Sequence, residues 1–115
     1  MTAARNPQTQ LPLTTTTFQV LVALADGDRH GYAIIKDVST RTSGSVEIAT
    51  GTLYGIIKRL LADGMIRDSV AGSDDRRRAY RLTAFGRKVA LAEAERLSNL
   101  VAAAYAKKLL VNPVL

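Results

Sequence analysis

The chain contains no cysteine, no tryptophan and a single histidine, His30, among its 115 residues. Without cysteine, disulfide scaffolds, thiolate metal sites and thiol redox sensing are excluded. His30 has no second ligand candidate nearby in the sequence, so we expect no bound metal and no cofactor. No nucleophile or carboxylate pair accompanies it either. We therefore expect no catalytic residue and no enzyme activity.

Long apolar segments are also missing. No run approaches the roughly 20 residues that a helix needs to cross a bilayer, and the N-terminus carries no signal-peptide pattern. We expect a cytoplasmic protein without a membrane partner. Residues 1–12 are polar and contain two of the three prolines. They are predicted to form a flexible N-terminal arm, which in the alternative interpretation touches DNA or a partner subunit.

Negative charge is scarcer than positive charge. Sixteen lysines and arginines face ten aspartates and glutamates, which gives a net charge of +6 and a pI near 10.1. This excess favours a polyanionic partner, although charge alone would also fit an anionic membrane surface. The length and a hydrophobic fraction of 47% suit one small domain with a modest core.

Residues 50–64 predict an amphipathic helix with a polar and basic outer face. With about 3.6 residues per turn, one side is apolar and consists of Leu53, Ile56, Ile57, Leu60 and Leu61. The opposite side and the flanks carry small, polar and basic residues, namely Gly51, Thr52, Tyr54, Gly55, Lys58 and Arg59. Thr50 is predicted to be the N-cap and Gly64 the left-handed C-terminal cap.

A basic hairpin follows this helix. Residues 65–70 and 79–82 predict two strands, with Ile66, Tyr80 and Leu82 on the buried face. The loop between them ends in three consecutive arginines, Arg76, Arg77 and Arg78. A charge run is usually a solvated turn. Beside a helix with a basic outer face, we interpret it as a phosphate clamp on a β-wing.

Two helices precede this unit. The first begins after Thr14 or Thr15 and ends at Asp26-Gly27, and its predicted core residues are Phe18, Leu21, Val22 and Ala25. The second runs from about Gly31 to Thr42, and its apolar side consists of Tyr32, Ile34, Ile35 and Val38. Residues 45–48 are predicted to be extended and would add a third short strand.

A long helix is predicted over residues 83–110, with Thr83 as its cap and residues 111–115 as a tail. Its alanine-rich composition favours helix. Its length exceeds what a small domain needs to cover its core, which predicts pairing with a second copy. The predicted dimer interface consists of Val89, Leu97, Leu100, Val101 and Ala104. The alternative is packing of this helix back onto the first one, and both can hold if its first half packs there and its second half pairs across a two-fold axis.

These motifs together resemble the PadR family of transcriptional regulators. The shared stretches are 30–32 (HGY), 51–54 (GTLY), 59–66 (RLLADGMI) and 76–87 (RRRAYRLTAFGR), within a resemblance over about residues 13–100. The resemblance implies a homodimeric bacterial repressor of the short subfamily, bound to a pseudo-palindromic operator. Combined with the helix faces, it gives ten expected DNA-binding residues: Tyr32, Lys36, Thr50, Thr52, Tyr54, Lys58, Arg59, Arg76, Arg77 and Arg78.

The chain departs from the family pattern at two points. Gly55 stands where relatives often have a long basic residue, and no tryptophan is available for an aromatic ligand cavity between subunits. The sequence therefore leaves open whether a small-molecule effector, of unknown identity, binds to this protein.

The predicted fold is mainly α with a small β-wing: a winged helix-turn-helix domain over residues 13–82 and a C-terminal dimerisation helix over 83–110. The predicted function is sequence-specific, DNA-binding transcriptional regulation by a homodimer. The alternative is a winged-helix interaction module that binds an acidic protein.

Overall fold

A computed structural model describes residues 5–69 and 78–111. Its helices are α1 (Thr15–Ala23), α2 (Gly31–Arg41), α3 (Thr50–Ala62) and α4 (Ala84–Ala106), with a 3-10 turn at Pro7–Gln10. Its strands are β1 (Arg29–His30), β2 (Ile66–Asp68) and β3 (Ala79–Leu82). This arrangement confirms the mainly α fold with a small sheet and a long C-terminal helix. Among these residues, no helix is both long and apolar enough to cross a membrane.

The sheet is antiparallel, with the strand order β1-β3-β2. Ile66 lies opposite Leu82, and Tyr80 lies between Asp68 and Arg29. The predicted third strand at residues 45–48 is therefore wrong, because the third strand is Arg29–His30. In the 45–48 segment the Thr42 hydroxyl accepts the Val46 N–H at 3.1 Å, so this amide is bonded without a strand partner.

The core joins all four helices to the sheet. On α1 the buried residues are Val20, Leu21 and Ala23, and Leu24, which caps the helix, is buried as well. Of the α1 residues predicted to be core, only Leu21 is fully buried; Phe18 and Val22 are half-buried and Ala25 is exposed. The helix is apolar around most of its circumference, so its periodicity does not determine which side faces α2 and α4.

The predicted apolar side of α2 is correct for two of its residues. Ile34 and Val38 are buried, whereas Ile35 is half-buried and Tyr32 is 74% exposed. Placing Tyr32 in the core was therefore wrong. Its exposure is compatible with its other predicted role on the outer surface.

Of the two predicted ends of α3, the C-terminal one is correct and the N-terminal one is not. Thr50 is not the N-cap: Ala49 occupies that position without a side-chain hydrogen bond, and Thr50 is the first helical residue. At the other terminus Gly64 has φ +73°. The Gly64 N–H bonds to the Leu61 carbonyl at 3.2 Å and the Met65 N–H to the Leu60 carbonyl at 2.9 Å. This is a Schellman closure of the kind that glycine permits.

The start of α4 is packed directly against this turn. The Thr83 hydroxyl accepts the Gly86 N–H at 2.9 Å and donates to the Gly64 carbonyl at 2.6 Å. A Cβ at Gly86 would lie 1.9 Å from the Met65 carbonyl oxygen. Only glycine allows this approach, so the ends of α3 and α4 have a fixed spacing.

The described part of the N-terminal arm, a segment predicted to be flexible, contacts the rest of the protomer. Within the described residues, the 3-10 turn contacts α4, and Leu11 and Leu13 pack against the core. On α4 the Glu93 side chain is buried, and the Arg96 guanidinium donates to both of its oxygens at 2.8 and 2.7 Å. The polar composition of the arm did not indicate these contacts.

Val89 was predicted to lie at a subunit interface, and this is wrong. Its side chain has no exposed surface and belongs to the protomer core, because the first half of α4 packs on α1. The second half of α4 is different: Leu100 is 55% and Val101 41% exposed, while Leu97 and Ala104 are half-buried. The helix ends at Ala106, four residues before the predicted position.

Candidate nucleic-acid interface

The outer face of α3 has a central line of glycines, here called the ridge, with polar residues on both sides of it. The ridge carries Gly51 and Gly55, and a Cβ built on either glycine has no other atom within 4 Å. The helix backbone is thus approachable along this line. The remaining predicted site residues of α3 are all exposed, namely Thr50, Thr52, Tyr54, Lys58 and Arg59.

Tyr54 forms the flank that faces α2. A Cβ at Gly31 would lie 2.5 Å from the Tyr54 hydroxyl oxygen, so glycine at this position makes room for the tyrosine ring. Tyr54 remains 47% exposed. Tyr32 follows Gly31 directly and Lys36 lies one turn further along α2, and both are exposed. The α2 and α3 residues predicted for the site therefore lie on adjoining, accessible faces.

Thr52 and Arg59 form the other flank, beside an open groove of about 460 Å³. The far wall of the groove is the first turn of α1, with Thr14, Thr16 and Thr17. Of these threonines, only Thr14 had a predicted role, as a candidate cap, and Thr14 does cap α1 by accepting the Thr17 N–H at 3.1 Å. The run of four threonines, which are poor interior helix formers, was the available signal that this turn differs from an ordinary helix start.

The wing is described only at its base. Arg76 and Arg77 lie outside the described residues. Arg78 donates from Nη2 to Asp68 at 2.7 Å, and its guanidinium lies 6.0 Å from the centre of the Tyr80 ring. Arg78 therefore links the two strands of the hairpin at its base.

Several arginines are bound within the protomer. Arg41 pairs with Asp37 at 2.7 Å, and Arg81 pairs with Asp28 at 3.2 Å. Asp28 also accepts a hydrogen bond from the Ser69 hydroxyl, and this bond, together with the one from Arg81, lowers the pKa of its carboxyl. The first pair lies within α2, and the second joins β3 to the residue that precedes β1.

Three cations on the outer face contrast with these internal arginines. Lys36, Lys58 and Arg59 form no ion pair within residues 5–69 and 78–111. All three are exposed. Their charge is therefore available to an anionic partner, since no carboxylate in the described part of the chain pairs with it.

The described part of the chain contains no cluster of three or more histidine, aspartate or glutamate residues that could hold a metal ion. The chemistry that the outer face offers is hydrogen bonding, positive charge and aromatic contact. These are the means by which proteins bind phosphates and base edges.

Comparison with other proteins places this chain in a family. The family model described as transcriptional regulator PadR-like matches residues 20–92. An uncharacterized protein X of Lysinibacillus sphaericus is 33% identical over 70 residues, which are 59% of this chain and 64% of that protein. An uncharacterized 37.1 kDa protein in transposon TN4556 of Streptomyces fradiae is 38% identical over 81 residues. That match covers 70% of this chain but 22% of the relative, so the chain spans less than two thirds of either protein.

Solved structures share the fold. A transcriptional regulator from Clostridium thermocellum superimposes with a TM-score of 0.67 at 26% identity, over 84% of this chain and 97% of the other. The hsRosR-S4 complex gives 0.71 at 23% identity, over 84% and 81%. Bacillus subtilis PadR in complex with operator DNA gives 0.58 at 22% identity, over 75% and 48%.

The last two likenesses are below 25% identity and support the fold alone. Because the family model covers well over half of the chain and the winged-helix fold agrees with it, this protein belongs to the PadR-like family of transcriptional regulators.

Proposed function

We propose that this protein is a sequence-specific DNA-binding repressor that binds a pseudo-palindromic operator as a homodimer. The observation that carries the proposal is the outer face of α3. It combines an approachable glycine ridge with two exposed cations, Lys58 and Arg59, that have no carboxylate partner among the described residues. Bacillus subtilis PadR, which shares the fold, has been solved in complex with operator DNA, and we extend the same type of ligand to this chain.

In the proposed complex, α3 lies in the major groove and the wing lies beside it. Base edges are contacted, or the register of the helix is set, by Thr52, Tyr54, Lys58 and Arg59. Thr50, at the start of α3, contacts the DNA backbone. Phosphate contacts come from α2 and the wing, through Tyr32, Lys36, Arg76, Arg77 and Arg78. Because Gly55 has no side chain, base readout depends on the flanks of α3 more than on its centre.

The proposed dimer forms through the second half of α4. Leu100, Val101 and Tyr105 are exposed large apolar side chains on a helix that continues beyond its contacts with α1. A two-fold axis would pair the same surface of each copy and bury it. Two α3 helices would then meet successive major grooves about 34 Å apart, which requires a pseudo-palindromic site. Occupancy of a promoter by the dimer would block transcription sterically.

The experiment compares two double variants that remove the same charge. K58A/R59A changes the α3 face, and K107A/K108A changes the exposed end of α4. Affinity is measured by fluorescence anisotropy on duplexes selected by the wild-type protein and on random duplex, each at two salt concentrations. K58A/R59A should weaken operator binding at least tenfold, because each lost contact is worth about 1–3 kcal/mol. It should also reduce the salt slope by about two units.

The control pair should bind the operator within twofold of wild type. Equal losses in both pairs would mean that general charge, and not the α3 face, controls binding. A wild-type protein without any salt-dependent affinity for DNA would contradict the proposal and favour an acidic protein partner.

A further inference from the structure

Arg5, in the N-terminal arm, contacts the ends of two helices at once. Its Nη1 donates to the Asp63 carbonyl oxygen at 2.6 Å, and its guanidinium lies 4.1 Å from the centre of the Phe85 ring. Asp63 is the residue that caps α3, and Phe85 is the second residue of α4. One side chain therefore joins the end of the proposed recognition helix to the start of the proposed dimer helix.

The contact with α3 uses a group that the helix itself leaves without a partner. The last carbonyl oxygens of a helix have no intrahelical donor and carry partial negative charge. A guanidinium supplies both the donor and the opposite charge. Gly64 makes room for it, because a Cβ at this residue would lie 3.1 Å from the Arg5 Nη1.

The rest of the arm is anchored on α4. The 3-10 turn Pro7–Gln10 contacts this helix, and Leu11 packs at the edge of the core. The backbone amide of Leu13 and the Arg96 guanidinium both lower the pKa of the buried Glu93 carboxyl, with Arg96 as the larger cause. Arg5 therefore belongs to a segment that packs on α4. Its hydrogen bond to the Asp63 carbonyl links α3 to α4.

We propose that Arg5 is a positioning residue for DNA binding: it holds the C-terminal end of α3 at a fixed angle to α4. This inference rests on the proposed function, in which α4 lies at the two-fold axis. In a symmetric dimer a small change in that angle is doubled between the two recognition helices, and both then lose their register with successive grooves. Phosphate contacts tolerate such a change far better than base contacts, because they carry no sequence information.

The test measures operator affinity against random-duplex affinity in R5A, R5K and the control R87A. Arg87 is a matched control because its Nη2 also donates to a backbone carbonyl near a helix end, that of Ala25, at 3.0 Å. R5A should weaken operator binding about fivefold to tenfold and leave random-duplex affinity within twofold of wild type. R87A should change neither. R5K should fall between R5A and wild type, because lysine keeps the charge but loses the planar group that lies over Phe85.

Each other outcome overturns the inference. An R5A variant with wild-type operator affinity shows that the contact does not position α3. Equal losses on operator and random duplex, with a lower salt slope, show that Arg5 is itself a phosphate contact. Thermal unfolding of each variant sets a temperature at which all are folded. F85L, which removes the ring but keeps an apolar side chain, must reproduce the selective operator loss even if R5A unfolds.

Failure of the proposed function has a different result. In that case the wild-type protein itself would not distinguish a selected duplex from a random one. The inference about Arg5 fails only when wild type makes this distinction and the Arg5 and Phe85 variants make it equally well.

Discussion

At the scale of single residues, two glycines of this fold have opposite surroundings. Gly86 leaves no space for a side chain, because a Cβ there would overlap the Met65 carbonyl oxygen. Gly86→Ala should therefore lower the free energy of unfolding by about 3 kcal/mol, since the obstructing atom is backbone and cannot rotate away. Urea unfolding monitored by circular dichroism measures this change. A loss below about 0.5 kcal/mol would show that the turn after α3 can move, contrary to this packing.

Gly55 has open space around it, so a methyl group there should have the reverse effect on stability. Gly55→Ala should raise the free energy of unfolding by up to about 1 kcal/mol, because alanine is the better helix former. Operator affinity should fall at the same time if the ridge of α3 approaches the groove floor closely. The same urea experiment and an operator titration measure the two quantities. A more stable variant with undiminished affinity would exclude close approach at residue 55.

Whether a single residue's role could be predicted depends on how far along the chain its partners lie. Gly64 was correctly predicted to end α3, because a left-handed cap involves only neighbouring residues and favours glycine. The contact between Tyr54 and Gly31 could not be recognised, since it depends on how α2 crosses α3. Arg5 was read as part of a mobile arm for the same reason: its partners lie 58 and 80 residues away.

At the scale of elements, a buried carboxylate on α4 meets the backbone amide of Leu13, the residue that follows the arm. The Arg96 guanidinium, and to a smaller extent the Leu13 amide, hold the pKa of Glu93 below its usual range. Folding therefore favours the charged form of Glu93. The corresponding stability is fully present above the ordinary glutamate pKa of about 4.3, and it is lost as the pH falls through the lower pKa of the folded state.

This linkage gives a pH-dependent prediction for Glu93→Gln. The variant should be less stable than wild type at neutral pH, and its stability should decline less steeply as the pH falls below about 4. Thermal unfolding across that range measures the difference. Glu95→Gln changes an exposed neighbour on α4 and is the control. If both variants lost stability in parallel with wild type, the charge of Glu93 would not stabilise the fold.

Elements with strong periodicity and marked ends were predicted closely. The second helix and α3 match their expected bounds within one or two residues, because apolar spacing and glycine stops agree there. The two-residue strand β1 was missed, since it exists through pairing with the edge of β3 and has no β signal of its own. The phase of α1 was also missed, because a helix that is apolar on most sides gives no preferred face.

At the scale of the whole molecule, α4 changes role along its length. Its first half is part of the protomer core, as Val89 shows, and its second half presents an apolar surface. An uninterrupted apolar pattern indicates burial but cannot tell which part is covered by the same chain. For this reason the sequence pointed to a dimer helix and wrongly included Val89 in its interface.

The proposed dimer predicts that Leu100→Glu yields a monomer. A carboxylate at the centre of an apolar interface would be desolvated without a partner, so the equilibrium should move strongly toward the free chain. Light scattering after size-exclusion chromatography measures the mass. Leu91→Glu is the control: Leu91 is also exposed but lies nine residues earlier, on the opposite side of α4. If Leu100→Glu kept the wild-type mass, the interface would lie elsewhere.

The fold and the α3 face were accessible from the sequence because the helix, its glycine stop and the basic hairpin form one contiguous stretch. The groove beside Arg59 was not, since its far wall comes from α1 threonines more than 30 residues away. Which arginines are paired inside the protomer was equally inaccessible. Composition counts every charge alike, whereas the structure separates Arg41 and Arg81, which are paired, from Lys58 and Arg59.

The central claim is that this chain reads a specific DNA sequence, and one titration tests it most directly. Duplexes selected from a random pool by the wild-type protein are compared with unselected duplex at about 50 and 200 mM salt. We predict a selected sequence with two-fold symmetry, tighter binding to it than to random duplex by about 10³ or more, and an affinity that falls more than about tenfold between the two salt concentrations. Equal affinity for selected and unselected duplex, or no dependence on salt, would contradict the account.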